Sequence, residues 1–147
     1  MEQEHPHIMA VGGVVYRCTS HGQLELLLIK KRTGFWTLPK GRIKRDENPI
    51  AAVQREVFEE TGLAGAVEAQ IREISYQIVK RGKPCHKVVT YYLFRAEGGT
   101  PHPDKREGIA RVRWFPVSHA LDRIHRDRVR GVAHHASTLL QHVSFEQ

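Results

Sequence analysis

The chain has 147 residues, 40% hydrophobic and 27% charged, which suits one globular domain with its own core and excludes a disordered or fibrous chain. Lys and Arg number 23 against 16 Asp and Glu, a net charge of +7, and Lys30–Arg45 alone carries seven basic residues and no acid. No apolar run approaches the roughly 20 residues of a membrane span, the N-terminus lacks a secretory pattern, and two cysteines make no disulfide framework. The expectation is a soluble, cytoplasmic, single-domain protein. Its basic segment either attracts polyanions or is a solvated face.

Ile8–Arg17 alternates weakly and is rich in Val, the pattern of a strand, with Gly12 and Gly13 marking a bend or a close backbone approach. His21-Gly22 is a turn, and Leu24–Lys30 follows as a buried strand, completing a hairpin. Thr33-Gly34 breaks it, and Pro39 and Gly41 interrupt any helix before Asn48. Asn48-Pro49 starts a helix, with Asn as N-cap and Pro in the first helical position, that runs to Thr61 and stops at Gly62. Ile71–Val79 and Lys87–Arg95 form a second hairpin around Arg81-Gly82-Lys83-Pro84, and Gly98–Glu107 is a polar loop. Ala110–Phe115 is a short strand ended by Pro116. Val117–Ile124 is a helical piece, and Arg128–Val143 is a helix that buries Val132, Leu139, Leu140 and Val143. Strands on both sides of an internal helix give a mixed α/β or α+β domain, and the hairpins exclude a wholly parallel sheet.

On a wheel of about 100° per residue, Ile50, Val53, Gln54, Val57, Phe58 and Thr61 share one broad sector, the expected core face. Glu56, Glu59 and Glu60 fall on the other side, at i, i+3 and i+4, in the last turn of the helix. Both their mutual repulsion and the helix dipole disfavour that placement. A divalent cation with a taste for hard oxygen ligands, Mg²⁺ or Mn²⁺, resolves the conflict; the alternative is an ordinary solvated helix face. Arg55, four residues before Glu59, can hold one carboxylate in place.

Read from Gly41, the stretch GRIKRDENPIAAVQREVFEETGL places Gly41, Glu47, Arg55-Glu56-Val57, Glu59-Glu60 and Gly62-Leu63 at the spacing of the complete 23-residue Nudix box. The chain therefore resembles the Nudix hydrolase family over most of its length. The resemblance implies an α/β/α sandwich around a mixed sheet, the box forming a loop–helix–loop, in a single domain over residues 1–147. It also implies Glu56, Glu59 and Glu60 as ligands of Mg²⁺, or Mn²⁺, joined by the Gly41 carbonyl, one glutamate also activating water. Arg55 and Glu47 would pair to fix the loop against the helix, and Glu107 either assists water activation or metal binding or is a surface carboxylate.

Hydrolysis of a pyrophosphate concentrates negative charge on attacking and leaving oxygens, so it needs an acidic metal cradle beside a basic rim. Arg32, Lys40 and Arg42 are the phosphate-clamp candidates, with Lys44 and Arg45 there or facing solvent. Lys87, with Lys80, Arg81 and Lys83, either extends the rim or belongs to a charged loop that discourages edge pairing. Trp36 either stacks on a nucleobase or packs on the core, and of Tyr91 and Tyr92, on opposite sheet faces, at most one lines a pocket. The histidines, His134 and His135 included, lack zinc-site spacing.

Trp36-Thr37-Leu38-Pro39-Lys40-Gly41 is similar to the W-x-x-P-K-G entry of diadenosine tetraphosphate hydrolases in this family. The implied activity is a Mg²⁺-dependent pyrophosphohydrolase acting on a nucleoside polyphosphate, a diadenosine polyphosphate first. Alternatives are diphosphoinositol polyphosphates, oxidised nucleoside triphosphates, a 5′-pyrophosphate on RNA, or a nonenzymatic nucleotide- or nucleic-acid-binding role. Against nucleic acid stands the absence of a basic stretch interleaved with several aromatics. The expected partner is a small polyphosphate and not a membrane, with a monomer and a homodimer both open.

Overall fold

A computed structural model describes residues 7–144, with side-chain burial given to residue 141. The elements in chain order are β1 (His7–Cys18), β2 (Leu24–Lys31), β3 (Trp36–Thr37), β4 (Lys40–Arg42), α1 (Pro49–Thr61), β5 (Ala64–Lys80), β6 (Lys83–Gly98), β7 (Ile109–Pro116), α2 (Val117–Arg123) and α3 (Asp127–Ser144). A single 3-10 turn, Lys105–Glu107, precedes β7.

The strands form one mixed sheet in the order β3-β2-β1-β6-β5, with β4 added to β1 and β7 to β2. Its centre is the parallel pairing of β1 with β6, from His7 opposite His86 to Tyr16 opposite Arg95. The other pairings are antiparallel, including the long β5–β6 hairpin closed by Arg81 and Gly82, both at positive φ. Both expected hairpins are present, and β5 and β6 run further than their Val- and Ile-rich centres implied.

Alternation along β1 and β6 splits the core into two layers, since successive side chains point to opposite faces. Val11, Val15, Leu27, Tyr92 and Phe94 pack against Ala52, Val53 and Val57 of α1. Ala10, Val14, Leu26, Leu28, Val89 and Tyr91 pack against Ala120 of α2 and Val129, Val132, Ala133, Ala136 and Leu140 of α3. This is the α/β/α sandwich with a mixed sheet that the sequence implied. Along α3, Val132 and Leu140 are buried and Leu139 is only partly so; the expected burial of Val143 lies outside the described residues. Among the described residues no helix is long and apolar enough to cross a membrane. No disulfide joins exposed Cys18 to buried Cys85.

Helix α1 has the expected ends: the Ile50 amide donates to Asn48 Oδ1 at 2.8 Å, and Gly62 sits in the left-handed region at φ 80°. Its buried face is only partly the expected one: Val53, Val57 and Thr61 are buried as expected. Ile50 and Phe58 are exposed, at 41% and 59%, and Gln54 faces out as well. Ala52, Glu56 and Glu60 take their places under cover. One flank of the helix lies on β1, and the other lies on the Pro39–Arg42 segment, which takes Glu56 and Glu60 under cover. A wheel drawn on apolarity alone cannot show this, because the buried groups on that flank are charged.

Candidate active site

Register places the site on two faces. In the β1–β4 pairing Gly41 stands opposite Val11, on the face covered by α1, and Lys40 stands opposite Gly12, on the face covered by α3. At Gly41 the α1 face is filled by a carboxylate: a Cβ there would fall on the Glu56 side chain. Glycine is therefore required by close approach at this position.

Arg55 is the hub of the box. Its guanidinium donates to both oxygens of Glu47 (2.6 and 2.8 Å), to Glu56 Oε1 (2.7 Å), to Glu59 Oε2 (3.1 Å) and to the Arg42 carbonyl (3.0 Å). This fork uses the planar, multi-donor geometry that lysine lacks. The Arg55 bonds first, and the Lys44 amide second, hold Glu47 down at about 2, well below the usual carboxylate range. Asp46, at φ 63°, turns the chain so that Glu47 N–H reaches the Lys44 carbonyl at 3.0 Å.

Glu60 is 3% exposed; its Oε1 accepts from the Lys40 amide at 2.8 Å, and Lys31 Nζ lies 3.9 Å from Oε2. Burial pushes its carboxyl up to about 7 against the pull of those partners. Burial also raises Glu56, with Arg55 opposing and the charges of Glu59 and Glu107 adding.

The Glu56 and Glu59 carboxylates open on a cleft of about 600 Å³ lined by Arg42, Lys44, Arg55, Glu56, Glu59, Asp104, Arg106 and Glu107, with Glu60 outside that lining. Glu107 arrives there from the 3-10 turn, which is capped by Asp104 and pinned by Arg32. Arg32 donates from its backbone to the Gly108 carbonyl (3.1 Å) and from its guanidinium to the Lys105 carbonyl (2.5 Å), so it brackets the turn instead of lining the cleft. Trp36 also stands away from the cleft, edge-to-face on Phe115 at 5.0 Å. Lys87 lies on the α3 face opposite Tyr76, and the Lys40 ammonium turns to the same place, 3.1 Å from the Tyr76 hydroxyl. Asp104, Arg106, Tyr76 and Arg128 were not marked by the sequence; their places follow from register and from one turn.

Hard carboxylate oxygens, two of them belonging to buried like-charged groups, suit a hard divalent cation, and the Gly41 cradle keeps the backbone close to Glu56. Among the described residues no three His, Cys, Asp or Glu side chains yet close on one point, because Arg55 holds Glu56 and Glu59 while the Lys40 amide holds Glu60. The donor chemistry fits a divalent cation, and Glu56, Glu59, Glu60 and the Gly41 carbonyl are groups that could hold it.

The family model of the NUDIX domain matches residues 6–135, most of the chain. The chain belongs to the Nudix family. Its relatives within that family include the 8-oxo-(d)GTP phosphatase of Mycolicibacterium smegmatis, 29% identical over 80% of this chain and 37% of that protein. The asymmetrical bis(5′-nucleosyl)-tetraphosphatase of Mus musculus is 38% identical over 48% of this chain and 49% of that protein. Among solved structures, a Caenorhabditis elegans Ap4A hydrolase binary complex has the same Nudix fold, with a TM-score of 0.74 at 22% identity over 91% of this chain and 98% of that one. The chain spans about two fifths of the length of the first curated relatives it matches.

Proposed function

We propose that the chain is a divalent-metal-dependent pyrophosphohydrolase that cleaves a phosphoanhydride bond in a nucleoside polyphosphate, a diadenosine polyphosphate first among them. The observation that carries this is the Arg55-centred set of Glu47, Glu56 and Glu59, with buried Glu60 behind it, beside a cleft whose other wall is Glu107. Mg²⁺, with Mn²⁺ as its substitute, supplies charge neutralisation and acidifies bound water when present. Glu56, Glu59 and Glu60 hold it, and Arg55, locked by Glu47, fixes the direction of Glu56 and Glu59. Glu107 makes no ion pair or side-chain hydrogen bond among the described residues, so it is the cleft carboxylate available to take a proton from the attacking water. Lys40, Arg42 and Lys87 neutralise phosphate oxygens, Arg32 positions the Glu107 turn, and Trp36 braces the sheet edge beside them.

The W-x-x-P-K-G run and the resemblance to the mouse tetraphosphatase support the diadenosine reading. The longer match to the mycobacterial phosphatase favours oxidised nucleoside triphosphates as the second reading. A cytoplasmic setting suits two cysteines that form no bridge. The test is product release from a panel of diadenosine polyphosphates, oxidised and ordinary nucleoside triphosphates, a diphosphoinositol polyphosphate and 5′-triphosphorylated RNA, each with Mg²⁺ and with chelator. Metal-dependent turnover of diadenosine tetraphosphate far above the rest supports the first reading. Preference for an oxidised triphosphate replaces it with the second, and no turnover on any member overturns both.

A further inference from the structure

The segment between β6 and β7 brings Asp104, Arg106 and Glu107 to the cleft, and it opens with Gly99-Thr100-Pro101-His102-Pro103. A proline has no N–H, fixes its own φ and holds the residue before it in extended backbone. Of residues 101–103, His102 alone can therefore donate from its backbone. That donor goes to the Thr61 carbonyl, at 2.9 Å, at the end of α1. The last carbonyls of a helix have no partner within it, so the bond satisfies a group on each side.

The imidazole adds a second tie. His102 Nδ1 lies 3.1 Å from the Thr100 carbonyl, which can only accept, so Nδ1 carries the proton in that bond. The residue is exposed overall, yet a Cβ on Gly62 would fall on its ring. A Cβ on Gly99 would fall 2.5 Å from the Gly62 carbonyl oxygen. Gly62 therefore serves twice, as the left-handed end of α1 and as the bare backbone on which this segment lies. The anchor itself is firm: Thr61 is fully buried, and its hydroxyl donates to the Val57 carbonyl at 2.6 Å and accepts from the Leu63 amide at 3.2 Å. Glu59 and Glu60 directly precede it.

Only Pro103 and Asp104 separate His102 from the turn that carries Glu107. Arg32 fastens that turn to the end of β2, and His102 fastens the approach to it onto α1. The Glu107 charge in turn acts on Glu56 and Glu60, carboxylates of the same helix. We propose that His102, held between Pro101 and Pro103, is a positioning residue that seats the Glu107 turn on the end of α1 and so fixes Glu107 relative to Glu56 and Glu59. The proposal rests on the reading of Glu107 as the carboxylate that takes the proton of the attacking water. His102 does not line the cleft, so it acts only through the backbone it holds.

The test has two readouts on the wild type, His102→Ala, His102→Asn and Pro103→Gly, with circular dichroism to confirm folding and two substituted sites in case one variant fails. The first readout is amide hydrogen exchange of the metal-free protein. His102→Ala and Pro103→Gly should speed exchange of the Glu107 and Ile109 amides, both bonded to the Asp104 carbonyl, by about tenfold, while amides of β1 and β6 keep their rates. His102→Asn, which can still donate to the Thr100 carbonyl, should fall between them and the wild type. The second readout is a double-mutant cycle in kcat and KM with Glu107→Gln, using the substrate of the panel above that is turned over fastest. His102→Ala should lower kcat by about ten- to a hundredfold with KM nearly unchanged, and should cost less than about twofold once the Glu107 carboxylate is gone. Unchanged exchange at Glu107 would overturn the clamp. Equal losses of kcat with and without the Glu107 carboxylate, or an effect on KM alone, would overturn the positioning role. A wild type that turns over no substrate refutes the hydrolase reading instead, and the exchange result still decides whether His102 holds the turn.

Discussion

The Lys40 amide donates to Glu60 Oε1 at 2.8 Å, tying the strand that enters the box to the last turn of the helix that leaves it. A side-chain carboxylate that accepts from a backbone N–H twenty residues away is fixed by the fold and not by its own rotamer preferences. The bond also explains why a buried acid is tolerated in the last turn, where the helix dipole opposes it. Among the described residues the acid's other oxygen has only a distant lysine, 3.9 Å away.

Because a Cβ at Gly41 would fall on the Glu56 carboxylate, Gly41→Ala should displace that side chain or the strand beneath it. Overpacking of this kind costs about 1–3 kcal/mol, and it acts here on a ligand group. The expected outcome is a lower melting temperature together with a fall in kcat of about a hundredfold or more. Wild-type values of both would show that the close approach does not matter.

Glu60→Gln should separate stability from activity. In metal-free protein near neutral pH, the buried carboxylate is held against its desolvation cost, and an amide can still accept from Lys40. The variant should be as stable as the wild type or more so, by about 1 kcal/mol, in urea unfolding with chelator, while its metal-dependent turnover collapses. A marked loss of metal-free stability would contradict the idea that Glu60 is placed for function at the expense of the fold.

Glu47 gives a pH signature. Its carboxyl is held at about 2 in the folded protein against an ordinary 4.5, by Arg55 first and the Lys44 amide second. A depressed carboxyl contributes stability that is fully present above about pH 4.5 and is lost as pH falls through about 2. Thermal melts should therefore show Glu47→Gln less stable than the wild type above pH 4.5, the gap narrowing as pH drops toward 2. A gap that does not change across that window would exclude the ion pair as its source.

Arg55→Lys should behave like a broken hub. Lysine can reach one of the acceptors that the guanidinium serves at 2.6 to 3.1 Å, but it cannot fork to Glu47, Glu56 and Glu59 together. A stability loss of roughly 1–3 kcal/mol is expected by urea unfolding. A loss of kcat with little change in KM should accompany it, because the residue positions carboxylates instead of touching substrate.

The ends of α1 and both hairpins were legible in the sequence because they depend on local chemistry: Asn48-Pro49, Gly62, His21-Gly22 and Arg81-Gly82. The box residues were legible because their spacing is fixed along one loop and one helix. Side-chain burial on α1 was legible only for Val53, Val57 and Thr61, since apolarity pointed also to Ile50 and Phe58 while the fold covered Glu56 and Glu60. The two short strands inside the basic segment were also missed, as their partners on β1 and β2 are set by tertiary pairing. The meeting of Tyr76, Lys40, Lys87 and Arg128 depends on strand register and on where α3 lands, and no local signal in one sequence encodes either.

The most direct measurement is kcat on diadenosine tetraphosphate for the wild type and Glu56→Gln, each with saturating Mg²⁺ and with excess chelator, using folded protein of matched circular dichroism. The account predicts Mg²⁺-dependent turnover in the wild type and a fall of about a thousandfold, or some 4 kcal/mol in barrier, on loss of the Glu56 charge. Equal turnover by Glu56→Gln, or wild-type turnover that persists in chelator, would contradict it.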